Sequence, residues 1–430
     1  MRGGIIQVGI LGAGVVGGGL YQILQRNAEH IEQVAEVGIE VAAICDVDWE
    51  RPRDFSVSPD LRITDAYEVI NNPDIDIIVE AIGGSDAALD YVTAAIQAGK
   101  SVVTPNKEMI ALHGQQVLSL AAQHGVDVQF EGSVGGVIPV LRSLKESLAS
   151  AQIDQIIGIV NGTTNYILTE MTEAGMQFAE VLAAAQREGY AEADPTADVE
   201  GIDAVNKLAI LAALAFGARV PVEEIYREGI SRITPTDIDY ARQMGYVIKL
   251  LAIGTRDGDQ LELRVHPALL PARHPLAAVR GVFNAIFVSG PECGEVMLYG
   301  RGAGALPTGT AVAGDVIDCA RNIVHGSRGR TPCSCEGEAR LRPMADIESS
   351  AYMRMQVADR PGVLGQIATL LGRERVSIET VIQKSSGNDV AEIVWVMHKG
   401  PERHLQAALS AIAKLDVVEQ ICSVIRVVDE

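Results

Sequence analysis

No run of Lys and Arg in this 430-residue chain is long enough to form a local basic patch, and the formal net charge is −21. A surface of that sign repels nucleic acid and anionic membrane, which leaves small molecules as the expected partners. No uninterrupted apolar run approaches the ~18 residues of a membrane span. The chain runs at once into Ile5-Ile-Gln-Val-Gly-Ile-Leu11, without a charged leader and cleavage site, and a cytoplasmic protein is expected. Six cysteines, four of them scattered, make no disulfide framework, in keeping with a reducing compartment. Cys333 and Cys335 form a lone Cys-x-Cys without a second pair, too little for a metal site.

What is present is more specific. Residues 5–11 read as a buried strand running directly into Gly12-Ala13-Gly14-Val15-Val16-Gly17, with the helical pattern Leu20, Ile23, Leu24 behind it. Strand, glycine turn and helix together fit the dinucleotide fingerprint. Gly12 makes the tight turn, Gly14 lets backbone approach a pyrophosphate, and Gly17 lets the helix pack closely on the strand. Residues 40–48 read as the second parallel strand. It ends near Asp46, where a carboxylate would take the adenosine ribose hydroxyls and favour NAD. Arg51 and Arg53 follow, and either could swing to a 2′-phosphate, which keeps NADP open.

Further strands at 75–82, 101–104 and 126–130 alternate with helices at 86–98 and 108–123, as a doubly wound sheet requires. Thr104-Pro-Asn-Lys107 and Glu131-Gly-Ser-Val-Gly-Gly-Val-Ile138 fall at the carboxyl edge, where such sheets bind ligands. Lys107 either reaches a ligand there or merely caps the sheet. The glycine-rich turn after Glu131 offers carbonyls to a hard cation, or to water.

The densest set of carboxylates runs from 188 to 207 and leads into an apolar helix beginning at Ile202. Asp203 and Lys207 are four residues apart on one helical face, which suits a positioned acid or base and equally suits a plain ion pair. Between these motifs, 152–160 reads as a strand and Asn161-Gly-Thr-Thr-Asn165 as a turn capping the next helix. Strands at 246–255, 260–266, 283–289 and 296–299 read as a separate sheet. Gly300-Arg-Gly-Ala-Gly304-Ala-Leu-Pro-Thr-Gly-Thr310 is a glycine-rich loop suited to cofactor contact, ahead of a helix to Arg321. After a Gly/Arg/Pro-rich linker the order is strand, helix, two strands, helix and strand, a ferredoxin-like βαββαβ layer.

Taken in order, these motifs resemble those of homoserine dehydrogenase along nearly the whole chain. They are Gly12 to Gly17, Thr104-Pro-Asn-Lys-Glu108, Phe130-Glu-Gly-Ser-Val-Gly-Gly-Val-Ile-Pro139, Asn161 to Asn165, Gly189-Tyr-Ala-Glu-Ala-Asp-Pro195, Asp198, and Gly201-Ile-Asp-Ala-Val-Asn-Lys207. Asp359-Arg-Pro-Gly-Val-Leu-Gly-Gln-Ile-Ala368 resembles the first loop and helix of an ACT domain, a module that binds amino acids between paired copies.

The resemblance implies a Rossmann-type domain over 1–140, an α+β substrate-binding and dimerisation domain over 141–322, a linker over 323–350 and an ACT domain over 351–430. It implies interconversion of L-homoserine and L-aspartate 4-semialdehyde with NAD(H) or NADP(H), in the branch to threonine, isoleucine and methionine. Lys207 matches the family's acid/base, Asp203 the carboxylate beside it, and Lys107 a lysine shared between substrate and cofactor. Glu192, Asp198, Gly162, Thr163 and Tyr190 match substrate positions. Gly304 falls among the cofactor positions. Glu131, Val134, Gly136 and Ile138 match a structural sodium site. Val47 stands where many relatives carry arginine, which leaves the choice of cofactor open. A homodimer or homotetramer inhibited by L-threonine is expected, with the ACT sheet's open face and edge covered by a second copy. Deletion from about His325 onward should then leave an active core.

The chemistry agrees with those residue types. Oxidising a primary alcohol removes a hydride from carbon and a proton from oxygen, so one titratable group must sit on that oxygen. A lysine, ordinarily near pKa ~10.4, does this when burial and a second cation lower it. Aspartate-semialdehyde dehydrogenase is the nearest other reading, but it needs a cysteine nucleophile, and Cys45, Cys293 and Cys319 have no recognisable nucleophile setting. An inactive amino-acid sensor is the other, and the intact set Lys107, Glu192, Asp203 and Lys207 argues against it.

Overall fold

The computed structural model describes residues 4–329, 337–338, 340–387 and 389–428; Cys333 and Cys335 lie outside the described residues. Two compact units result, and neither is a continuous length of chain. The first takes Met1–Ile156, Asn206–Glu223 and Phe283–Glu338, the second Ile157–Val205, Glu224–Val282 and Ala339–Glu430. The division expected from motif order was continuous.

The first unit is built on six parallel strands in the order Arg62–Ile63, Ile39–Cys45, Ile6–Leu11, Ile77–Glu80, Ser101–Val103 and Val128–Gln129. This is the doubly wound Rossmann order, with its switch point between Ile6–Leu11 and Ile77–Glu80. Val8, Ile10, Ile77, Ile78, Val79, Val102 and Val103 are wholly buried, because helices cover both faces and the strands need no polar alternation. One of the covering helices, Ala305–His325, comes from far along the chain and packs Val312, Val316 and Cys319 into the same core as Val8 and Leu20. Glycines permit the approach. A Cβ on Gly19 would lie 2.1 Å from the Ala305 carbonyl oxygen, and one on Gly309 2.9 Å from the backbone of Gly19. Residues 305–322, expected with the substrate domain, therefore belong to the first unit.

In the second unit, Tyr246–Asp257 and Gln260–Pro271 form a long antiparallel hairpin closed at Gly258, whose φ of +62° suits glycine. The C-terminal layer has the strand order Val418–Val427, Glu348–Ala358, Val390–Pro401, Ile378–Gly387, with helices Val363–Arg373 and Glu402–Ile412 packed on Met353, Met355, Val357, Ile393 and Trp395. That is the ferredoxin-like arrangement expected.

Its sheet is not left open as expected. Ala268 and Leu269 pair in parallel with Arg426 and Val427, so the edge strand Val418–Val427 is used within the chain. The opposite face carries Tyr352, Arg354 and Ser423, and all three bond Asp237 of helix Pro235–Gln243. Helix and sheet are thus joined by a buried polar network, with Arg354 Nε 2.7 Å from Asp237 and its Nη1 3.0 Å from Glu392.

Candidate active site

The glycine turn has the geometry its sequence calls for. Gly12 adopts φ +103°, closed to most side chains, and a Cβ on Gly17 would stand 1.9 Å from the Gly12 carbonyl oxygen. Gly14 faces open space and caps helix Val15–Arg26 without a side-chain bond, leaving the first-turn N–H groups for an anionic ligand. Ala13 is buried and Val16 packs on the core, while Val15 is exposed. These features fit a dinucleotide pyrophosphate.

At the end of the second strand Asp46 accepts the Ala13 N–H at 2.9 Å and the Asp48 N–H at 3.0 Å. Burial raises its pKa, but these bonds and Arg53, 3.1 Å away, outweigh burial and hold the carboxyl below its usual range. Arg53 is not free to swing. It stacks 4.8 Å over Trp49 and donates to the carbonyls of Ala13, Arg51 and Asp48. Arg51 and Val47 are exposed.

The carboxyl edge holds a group the sequence reading passed over. Glu80 is wholly buried, accepts from Thr104 Oγ1 at 2.6 Å and from the Ile82 N–H at 2.8 Å, and burial pushes its pKa up. It pins the Ile77–Glu80 strand end to Thr104, two residues before Asn106 caps helix Lys107–His124 through the Met109 N–H. Lys107 is thus set, half-buried, in that helix's first turn. Gly304, φ +123°, precedes helix Ala305–His325 in the same unit.

The turn after Glu131 folds tightly on itself. Gly135 and Gly136 have φ of +73° and +59°, and a Cβ on Gly136 would meet the backbone of Arg301 and Gly302. Glu131, Val134 and Ile138 are buried. The Glu131 carboxylate accepts the N–H groups of Leu141 and Arg142, and its own N–H donates to Asp315. Burial, with Glu131 nearby, raises Asp315 to about 7. Among the described residues no three His, Cys, Asp or Glu side chains gather as metal ligands. The turn offers backbone carbonyl oxygens, ligands that suit a hard ion.

Apart from Lys207, which falls in the first unit, the remaining polar residues belong to the second unit. Asn161 caps helix Gly162–Ala174, its Oδ1 accepting the Thr164 N–H at 2.9 Å. Its Nδ2 donates to Asp198 at 2.6 Å and to Asp203 at 2.9 Å. A Cβ on Gly162 would lie 2.9 Å from the Val282 carbonyl oxygen. Thr163 Oγ1 donates to the Tyr190 carbonyl, and the Tyr190 ring lies 4.9 Å from that of Tyr166. Gln186 holds the exposed Glu192 through its carbonyl. The helix Ile202–Phe216 carries Asp203 and, one turn on, Lys207, and both are buried. One polar group that sequence reading missed is Lys249, which burial lowers to about 8 and which donates to Asn165 Oδ1 and the Val279 carbonyl.

A Rossmann sheet with an open glycine turn, and a buried lysine with carboxylates on and around its helix, define a dinucleotide-dependent oxidoreductase. The homoserine dehydrogenase family model matches residues 139–317, its NAD-binding domain model 12–131 and the ACT domain model 351–417. Homoserine dehydrogenase of Neisseria gonorrhoeae is 44% identical over 427 residues, 98% of each chain, and that of Synechocystis 42% identical over 431 residues, 98% of this chain and 99% of its own. The crystal structure of a homoserine dehydrogenase from Thiobacillus denitrificans superposes with a TM-score of 0.92 at 39% identity, covering 99% of both chains. The chain belongs to the homoserine dehydrogenase family.

Proposed function

We propose that the protein interconverts L-homoserine and L-aspartate 4-semialdehyde with NAD(H) or NADP(H), in the route to threonine, isoleucine and methionine. The observation that carries this reading is the buried pair Asp203 and Lys207 on one helix, with Asp203 sharing the Asn161 amide with Asp198. Gly12 to Gly17, with Asp46, Gly304 and Lys107, would hold the nicotinamide cofactor, which would supply hydride acceptance or donation. Lys207 takes the proton from the substrate hydroxyl oxygen, or returns it to the aldehyde oxygen, and Asp203 orients its amine. Glu192 and Asp198 accept the substrate α-ammonium, with Gly162, Thr163 and Tyr190 shaping the surroundings. A structural sodium ion would be held at Glu131, Val134, Gly136 and Ile138.

Cys45 and Cys319 are poor nucleophiles: burial raises the thiol pKa of Cys45 to about 11 and pushes that of Cys319 far above its usual range. No described helix is long and apolar enough to cross a membrane, and the net charge is strongly negative. These two facts support the cytoplasmic reading. The ACT match supports an amino-acid effector, which we take to be L-threonine, and the outer strand Ile378–Gly387, at the end of the sheet order, offers an edge for pairing copies into a dimer or tetramer.

The test is dinucleotide reduction with L-homoserine, with L-serine and D-homoserine as controls. Turnover confined to L-homoserine supports the reading, and equal rates with L-serine contradict it.

A further inference from the structure

Asn161 is placed to do more than cap a helix. Its amide orientation is fixed, because Oδ1 must face the Thr164 N–H and so Nδ2 must face the carboxylates. The two hydrogens of Nδ2 then go to two different elements: Asp198 of the short helix Thr196–Val199 and Asp203 in the first turn of Ile202–Phe216. Asn161 and Asp203 are each 5% exposed, so water is a poor substitute for these bonds. Both acceptors are carboxylates, and two such groups sharing one donor repel each other when both are ionised. A lysine or arginine here would hold them together but would cancel the negative charge that attracts an ammonium group. A neutral amide solvates both carboxylates and leaves their charge intact.

We propose that Asn161 is a positioning residue of the reaction: it sets the spacing of Asp198, which receives the substrate α-ammonium, against Asp203, which orients Lys207. This inference rests on the reading of the site given above. It adds that the α-ammonium is recognised by a charge cluster whose geometry one amide defines.

Serine, aspartate and asparagine cap helices about equally well, so substitutions among them separate capping from positioning. Asn161→Ser keeps a cap and removes both donors. The expected result, in folded full-length enzyme with unchanged cofactor affinity, is a loss of about tenfold or more in kcat/KM. That is the size of a lost hydrogen bond to a charged group, and it should be divided between a raised KM for homoserine and a lowered kcat. Asn161→Asp keeps the shape and the cap but adds a third carboxylate. It should lose more than the serine variant at pH 8 and recover part of the loss as pH falls, once a protonated carboxyl can donate again.

Wild-type kcat and KM in both variants would overturn the proposal, since a cap alone explains such a result. Failure of both to fold would also overturn it, by making Asn161 a structural residue. An inactive wild-type enzyme would instead overturn the proposed reaction.

Discussion

Asp237 has no exposed side-chain surface, yet its carboxyl titrates below the usual range. Burial opposes ionisation there, but the bonds from Arg354, Ser423 and Thr234 outweigh it. The native pKa is lowered, so the network's contribution is fully present above the unfolded value of about 3.9 and is lost as pH falls through the native one. Asp237→Asn leaves the Arg354 guanidinium without its main counter-charge in a buried site. The expected cost at pH 7 is about 3–5 kcal/mol, shrinking toward acid pH. Urea unfolding at pH 7 and below about pH 3 measures it, and equal stability of variant and wild type at pH 7 would contradict the account.

At the scale of elements, the turn joining the second strand to Arg53 bears on cofactor choice. Asp46 favours ribose hydroxyls, while the anchored Arg53 guanidinium 3.1 Å away offers a partner for a 2′-phosphate. Binding of NAD or of both cofactors is expected. A titration in which NADP binds more than about a hundredfold tighter than NAD would contradict this.

The C-terminal strands bear on truncation. Deleting residues after His325 removes the parallel partner of Ala268 and Leu269, the Arg342 bonds to Gln260, Glu262 and Asp257, and the Arg354, Tyr352 and Ser423 bonds to Asp237. A truncated chain is therefore expected to melt earlier or aggregate, in place of the intact core that the linker's composition led one to expect. A thermal melt matching the full chain would contradict it.

Elements differed in how legible they were. The Gly12 to Gly17 turn could be read because each glycine answers a local steric demand, and five strands of the Rossmann sheet because burial on both faces writes mostly apolar runs, whereas the two-residue edge strand Arg62–Ile63 writes none. The ferredoxin-like layer was legible for the same local reasons. The return of Ala305–His325 to the first unit was not, because it depends on Gly19 and Gly309 meeting across 290 residues. Nor was the pairing of Ala268 with Arg426, since an edge strand's partner leaves no mark in its own alternation. Asn161 read only as a cap, and its bonds to Asp198 and Asp203 are tertiary.

For the whole molecule, the proposed reading divides the chemistry between a dinucleotide fold and carboxylates that would receive a substrate ammonium, with one helix, Ile202–Phe216, carrying Asp203 and Lys207. The net charge of −21 does not attract an anionic cofactor, so the cofactor depends on local features such as the open helix N-terminus behind Gly14. Proton exchange at the substrate oxygen is the step on which the reading depends, and Lys207 is the group assigned to it. Reduction of L-aspartate 4-semialdehyde, followed through loss of NADH or NADPH in wild type and Lys207→Ala side by side, tests that claim most directly. The account predicts homoserine formed mole for mole by the wild type and turnover lower by ~10²–10⁴-fold in the variant, with cofactor affinity nearly unchanged. A variant keeping more than about a tenth of wild-type turnover, or a wild type that consumes neither cofactor, would contradict it.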